Sequence, residues 1–328
     1  AGVPVSSLRG DIPLVMLATL GAILAAQIIS KLLLRPLRDR REPRDAREPS
    51  VVLVTGASSG LGKLVVDAVS EAFPSAVVYG TSRSGWQPPR KLPWSPSRSP
   101  RGIEPRDDNG ERLTDGLLQL DVTDEASVER CVNAIVDRHG KLDVLINNAG
   151  AVIATRGVAT KHDDAKSQME TNFFGMVRTV RCAVPAMTGP YKRIINIGSI
   201  GGRIGLPFQS MYSASKAAVM VWTDALRMET WSSGVRVSLV EPGDLKPGMV
   251  NAAKADGFDD DAIASRAFDI MRKEEAEGTD PKAVARAIVR SLRSTTPAGR
   301  VLIGPDAWLV ETLGRLVPHA WKEFFLAS

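Results

Sequence analysis

Sulfur and imidazole are scarce in this chain. Its 328 residues include two cysteines and three histidines, too few for a disulfide framework or a zinc cluster. Cys131 and Cys182 fall in helical stretches and read as packing thiols, and so low a cysteine content fits a reducing compartment. His139, His162 and His319 lack metal-ligand spacing and read as surface residues. No internal repeat is evident. The composition, 44% apolar and 24% charged, excludes wholesale disorder. The formal charge of +5 would point to nucleic acid only if the positive charge covered a folded surface.

It does not. Residues 31 to 50 carry seven basic and four acidic side chains, which accounts for more than half of that excess. They follow Ile12 to Ser30, a run without a charged residue that Leu32 to Leu34 extend past Lys31. At about 1.5 Å per residue, roughly 20 helical residues span the hydrocarbon core of a bilayer. The run therefore predicts a membrane helix within an anchor at residues 1–34. The basic flank predicts that residue 31 onward faces the cytosol or an organellar matrix or stroma. A cleaved signal peptide would carry its positive charge on the other side. Residues 35–49 are a basic juxtamembrane linker, either a solvated tether or a contact with anionic lipid. No nucleic-acid partner is expected.

From residue 50 to 328 the pattern is that of one α/β domain, a doubly wound parallel sheet of about seven strands. Strands are expected at Val51 to Thr55, Ala76 to Thr81, Leu117 to Leu120, Leu142 to Ile146, Ile194 to Ile197, Val235 to Val240 and Val301 to Ile303. Helices are expected from Gly62 to about Phe73 and at Glu125 to His139, Asp163 to Met187, Ser210 to Trp231 and Pro281 to Leu292. Residues 84–116 interrupt the alternation with six of the 21 prolines. Such a segment cannot bury a core and reads as a surface insertion. Trp86 and Trp94 within it leave open a docking role towards a homodimer mate or a membrane-complex partner.

The chemistry begins where the first strand ends. Gly56, Gly60 and Gly62 follow a strand and open a helix, a context that sets backbone N–H groups and the positive helix end against a pyrophosphate. The spacing G-x-x-x-G-x-G resembles the cofactor motif of the short-chain dehydrogenase/reductase family. Further matches follow in the family's order: Asp121-Val122, Asn147-Asn148-Ala149-Gly150, Asn172, Ser199, Tyr212-Ser213-Ala214-Ser215-Lys216 and Pro242-Gly243. The resemblance covers roughly Ser50 to Pro305 and implies a Rossmann fold. Glu241-Pro242-Gly243, the Ile303-Gly304-Pro305-Asp306-Ala307 turn and the C-terminal helix resemble those of membrane-associated retinol and hydroxysteroid dehydrogenases.

The residues support the same chemistry. Hydride transfer to a carbonyl builds negative charge on oxygen and calls for a proton donor. Lys216 lies at i+4 from Tyr212, on the same helix face, where an ammonium favours tyrosinate. A hydroxyl such as that of Ser199 can hydrogen-bond the reacting oxygen. The resemblance implies Tyr212 as acid/base, Lys216 as its pKa tuner and a ligand of the nicotinamide ribose, Ser199 as substrate positioner, and Asn172 as support for a proton-relay water. It also implies cofactor contacts at Gly56, Ser58, Ser59, Gly60, Leu61, Gly62, Ser82, Arg83, Asp121, Val122, Asn148, Ala149, Gly150, Pro242 and Gly243. No metal is expected.

Thr81-Ser82-Arg83-Ser84 contains no acid to accept from an adenosine ribose, and Arg83 can contact a 2′-phosphate, so NADP(H) is expected over NAD(H). One departure from the family is Pro247, where a threonine normally meets the nicotinamide carboxamide. Gly248 to Arg272 occupies the family's variable substrate lid. The apolar tail from Ala307 to Leu326 either closes the core or pocket, or dips into a membrane interface. The resemblance implies an NADP-dependent oxidoreductase interconverting alcohol and carbonyl on a lipophilic retinoid, steroid or long-chain lipid. The alternative is a structural or cofactor-sensing subunit of a membrane complex with little turnover. The resemblance suggests a single-pass protein of the endoplasmic reticulum; a removed presequence would point instead to a mitochondrial or plastid inner membrane.

Overall fold

The computed structural model describes residues 48–85, 117–246, 254–255 and 262–316. The chain divides into residues 1–46 and 47–328, and every described residue belongs to the second unit. The apolar run at 12–34, most of the linker, the insertion beyond Gly85, Pro247 and the tail beyond Leu316 lie outside the described residues. Among those described, no helix is long and apolar enough to cross a membrane.

Seven parallel strands form one sheet: β1 (Val51–Val54), β2 (Val77–Ser82), β3 (Leu117–Gln119), β4 (Val144–Asn147), β6 (Arg193–Ile197), β7 (Arg236–Pro242) and β9 (Arg300–Ile303). Their order is β3-β2-β1-β4-β6-β7-β9. Two further short strands, β5 (Ile153–Ala154) and β8 (Lys254–Ala255), pair with each other outside it. The strands read as near-continuous apolar runs because both faces are covered. Val51, Leu53, Leu118, Leu145, Ile194 and Val237 face one way, against α2 (Glu125–His139) and α4 (Gly175–Ala186). Val52, Val54, Val144, Ile146, Ile195 and Val240 face the other, against α1 (Gly60–Ala72) and α7 (Pro281–Arg293). Period-two alternation along each strand produces both cores at once.

The stretch expected as a single helix over 163–187 is three pieces. They are α3 (His162–Met169), a π-helical turn at Glu170–Phe174, and α4. The long helix α5 (Ser210–Glu229) leads to β7. The lid region contains α6 (Ala262–Glu277), and α8 (Pro305–Leu316) follows β9.

A fully buried polar chain crosses the middle of the sheet. Thr179 Oγ1 donates to Asn147 Oδ1 (2.6 Å), Asn147 Nδ2 to Asn196 Oδ1 (3.0 Å), and Asn196 Nδ2 to Thr223 Oγ1 (3.0 Å). It locks β4 and β6 to α4, which continues from the π turn, and to α5, and every link has a partner, as burial requires. The strand order reverses between β1 and β4, which opens a crevice at the carboxyl ends of these strands. All the candidate residues below lie around it.

Candidate active site

The glycine turn after β1 is braced from β4. Thr55, 1% exposed, accepts at Oγ1 from the backbone N–H of Asn148 and of Ala149, both at 3.0 Å. Asn148 Nδ2 returns the contact to the carbonyls of Thr55 (3.0 Å) and Gly56 (2.9 Å). Gly56 has φ +66°, and a Cβ on it would stand 2.8 Å from Ala149 Cα. A Cβ on Gly62 would overlap the Gly56 carbonyl and the Asn148 amide. Backbone therefore approaches backbone where only glycine fits. The amide of Asn148, a residue expected to line the trough, braces this turn. In the sequence Thr55 only closes the first expected strand; a hydroxyl ending a buried strand is the signal for its role, because it must find partners.

Helix α1 starts without a side-chain cap. Ser59 at its N-cap makes no capping hydrogen bond and the first turn carries no acid, whereas Asp124 caps α2 and Asp280 caps α7. Its free N–H groups and positive end suit an anion. Ser58 and Ser59 are exposed beside it and Leu61 is half-buried. These features fit a dinucleotide pyrophosphate.

At the end of β2, Thr81 and Ser82 are buried and their hydroxyls have no hydrogen-bond partner among the described residues. Arg83 is exposed, and its carbonyl accepts from Gln119 Nε2 at 3.2 Å. Asp121 Oδ1 is engaged by Thr123, from N at 2.9 Å and Oγ1 at 2.7 Å. Val122 is buried; a Cβ on Gly175 would lie 2.7 Å from its Cγ2, so the β3 exit seats directly on α4.

Asn172, Ser199, Tyr212 and Lys216 converge on the other side of the crevice. Asn172 is fully buried within the π turn, a distortion frequent at functional sites. Its Oδ1 accepts from Ala151 N (2.8 Å), and its Nδ2 donates to Ala151 O and Ser215 Oγ, both at 3.0 Å. One turn earlier Gln168, also fully buried, accepts from Ile153 N at 2.7 Å and donates to the Ala151 carbonyl. These two side chains hold the chain that leaves β4. Gln168 carried no sequence signal, since an isolated glutamine in a helix reads as surface.

Tyr212 and Lys216 are buried, and Lys216 Nζ lies 5.8 Å from the Tyr212 ring centroid. Nζ donates to the Ile197 carbonyl at 3.1 Å, and a Cβ on Gly150 would lie 3.9 Å from it. Burial pushes the Lys216 ammonium down to about 8. Burial raises the Tyr212 phenol, the Ser199 hydrogen bond opposes that rise, and the charges of Asp244 and Glu275 add to it. Ser199 Oγ also accepts from Gly201 N at 3.0 Å.

Below the quartet, β7 delivers Pro242 and Gly243. Gly243 N donates to the Ile303 carbonyl (2.9 Å), and Asp244 N to Asp306 Oδ2 (2.7 Å). A Cβ on Gly243 would overlap the Asp306 carboxylate, so α8 presses on this exit through its first turn. Among the described residues no group of acids, histidines and cysteines could hold a metal ion.

A doubly wound sheet with a glycine-lined anion cradle at its switch point, facing Ser199 and the buried Asn172, Tyr212 and Lys216, defines a dinucleotide-binding oxidoreductase. The family pattern described as short chain dehydrogenase matches residues 108–257. A 3-ketodihydrosphingosine reductase of Bacteroides thetaiotaomicron is 35% identical over 264 residues, covering 79% of this chain and 89% of that protein. Dehydrogenase/reductase SDR family member 7B of Xenopus tropicalis is 32% identical over 265 residues, covering 79% and 78%. The crystal structure of a short-chain dehydrogenase from Streptomyces avermitilis superposes with TM-score 0.64 at 26% identity, over 86% of this chain and 99% of that one. The chain belongs to the short-chain dehydrogenase/reductase family, whose fold binds a nicotinamide dinucleotide.

Proposed function

We propose that this oxidoreductase uses NADP(H) to interconvert a ketone and an alcohol on a lipophilic, long-chain substrate, with Tyr212 as the acid/base. The observation that carries the reading is the burial of Tyr212 and Lys216 one turn apart on the same helix, with the Ser199 hydroxyl near enough to the phenol to lower its pKa.

Gly56, Gly60, Gly62 and the open start of α1 would hold the pyrophosphate. Ser82 and Arg83 would meet the adenosine ribose and its 2′-phosphate, Asp121 and Val122 the adenine, and Ala149, Gly150, Lys216, Pro242 and Gly243 the nicotinamide half. When bound, the dinucleotide supplies hydride-transfer chemistry at the substrate carbon. Ser199 Oγ hydrogen-bonds the substrate oxygen and fixes it beside Tyr212. The phenol gives its proton to that oxygen as negative charge builds there in reduction, and takes it back in oxidation. The Lys216 ammonium, close by in a water-poor site, stabilises the tyrosinate left behind. Asn172 holds the Ala151 segment and the Ser215 hydroxyl that frame this path. The lack of an acid after β2 supports NADP(H). The name of the Bacteroides relative, a ketosphinganine-type reductase, supports a long-chain ketone.

The apolar run at 12–34 and its basic flank support a single-pass anchor, with residues 50–328 on the cytosolic side of the endoplasmic reticulum. Protease protection of intact microsomes tests that orientation; a domain resistant to added protease would overturn it.

The full chain in mild detergent should oxidise NADPH in the presence of a long-chain 3-ketone. Tyr212→Phe should lower turnover about a thousandfold or more while leaving dinucleotide binding intact. Turnover that survives Tyr212→Phe would overturn the acid/base assignment, and tight NADPH binding by wild type without turnover of any long-chain ketone would favour a cofactor-sensing role.

A further inference from the structure

The turn that carries Ser199 rests on the helix that carries Tyr212 and Lys216. Gly201 N donates to Ser199 Oγ (3.0 Å), Gly202 N to Ser199 O (3.0 Å), and Arg203 N to Ile200 O (2.8 Å). A Cβ on Gly202 would stand 2.7 Å from the Lys216 carbonyl, and one on Gly201 would stand 3.2 Å from Tyr212 Cε1. The turn thus touches α5 backbone to backbone, and any sideways slip would move the Ser199 oxygen relative to the phenol.

Arg203 terminates this turn, and its guanidinium is forked onto a single carboxylate. Nε donates to Glu241 Oε1 at 2.9 Å and Nη2 to Glu241 Oε2 at 2.7 Å. The Glu241 side chain is 1% exposed and that of Arg203 13%. Glu241 lies on β7 immediately before Pro242, and a Cβ on Gly198 would lie 3.3 Å from its Cγ. The remaining Nη1 meets Glu311 on α8. A buried ion pair is weak evidence for stability, since an apolar pair of similar volume does as well. What a bidentate guanidinium–carboxylate pair adds is direction, because its planar fork has one fitting orientation.

We propose that Arg203, locked by Glu241, is a positioning residue that sets the place and direction of the Ser199 hydroxyl relative to Tyr212. The inference rests on the reading of Ser199 and Tyr212 as catalytic. Arg203 itself touches no reacting atom; it acts through four residues of backbone.

The test compares wild type, Ser199→Ala, Arg203→Lys, the double variant Arg203→Met/Glu241→Met, and the triple variant that adds Ser199→Ala to the double. The double variant removes Arg203 and Glu241 together, so neither is left buried alone, while Glu311, with 17% of its side chain exposed, keeps contact with water. Three quantities are measured with NADPH and a long-chain ketone: dinucleotide Kd, kcat, and the pH profile of kcat. The double variant should keep Kd within about threefold and lose about 10- to 100-fold in kcat, the scale of a misplaced reacting group. The limb of the profile that belongs to Tyr212 should move to higher pH, because the Ser199 bond that opposes burial is weakened. Arg203→Lys should recover part of the loss. In the triple variant the two changes should be far from additive, since both act on one hydroxyl.

Wild-type kcat in the double variant, or full additivity in the triple with an unmoved pH limb, would overturn the proposal. A Tyr212→Phe enzyme that still turns over would instead remove the site reading beneath it, and that outcome is distinct from either of these.

Discussion

Thr55 and Asn148, 93 residues apart, are joined by two hydrogen bonds, Asn148 donating in both. The Thr55 hydroxyl accepts from the Asn148 N–H at 3.0 Å, and the Asn148 amide donates to the Thr55 carbonyl at 3.0 Å. The pair fastens the exit of β4 to the glycine turn after β1, so the two lips of the crevice move as one body. Thr55→Val keeps shape and removes the acceptor of two backbone N–H groups. It should cost about 2 kcal/mol or more in urea unfolding and weaken dinucleotide binding several-fold. A wild-type midpoint would show that these N–H groups find other partners.

The proposed preference for NADP(H) assigns the 2′-phosphate contact to Arg83. Arg83→Ser should lower kcat/KM with NADPH by about 10- to 100-fold, the scale of one or two charge-assisted hydrogen bonds, and change that with NADH by less than about threefold. Equal losses with both would assign Arg83 a structural part instead.

Lys216 makes the stability of the cofactor-free protein depend on pH. Burial depresses the folded pKa from 10.5 to about 8, so between those values the unfolded chain binds more protons than the folded one. Stability from this group therefore rises with pH across that window, and below about 8 the whole penalty of a buried ammonium is present. Lys216→Met should be more stable than wild type at pH 7.5, by about 3 kcal/mol at most. The gap should narrow towards pH 10. Melting curves of both proteins without dinucleotide check the sign; a gap that widens with pH would contradict it.

Gln168→Leu strips Ile153 N and the Ala151 carbonyl of their partner in a buried place. About 2–4 kcal/mol should be lost. Hydrogen exchange should rise first at residues 151–153, ahead of the sheet. Protection unchanged there would mean that Asn172 alone secures the segment.

Seven strands and most helices were legible because burial on both faces writes them as apolar runs, as in Val51–Val54 and Ile194–Ile197. The strand that ends at Asn147, expected to end at Ile146, ran over by one residue because the Asn147 amide is satisfied inside the sheet by Thr179 and Asn196. The π turn at 170–174 was not legible: five residues that keep helical character do not interrupt a 3.6-residue period enough to be seen.

Local chemistry was written along the chain. The glycine spacing, the i+4 relation of Tyr212 to Lys216, and the absence of an acid after β2 each needed only neighbours in sequence. Tertiary structure alone decided that Asn148 braces the glycine turn, that Gln168 reaches the Ala151 segment, and that Arg203 closes on Glu241, 38 residues away. Helical and strand periods, and the fit of a glycine to a tight turn, are properties of short stretches. Hydrogen-bond partners of buried polar groups are set by strand order and by which helix lies over which strand, and those follow only when the whole sheet has closed.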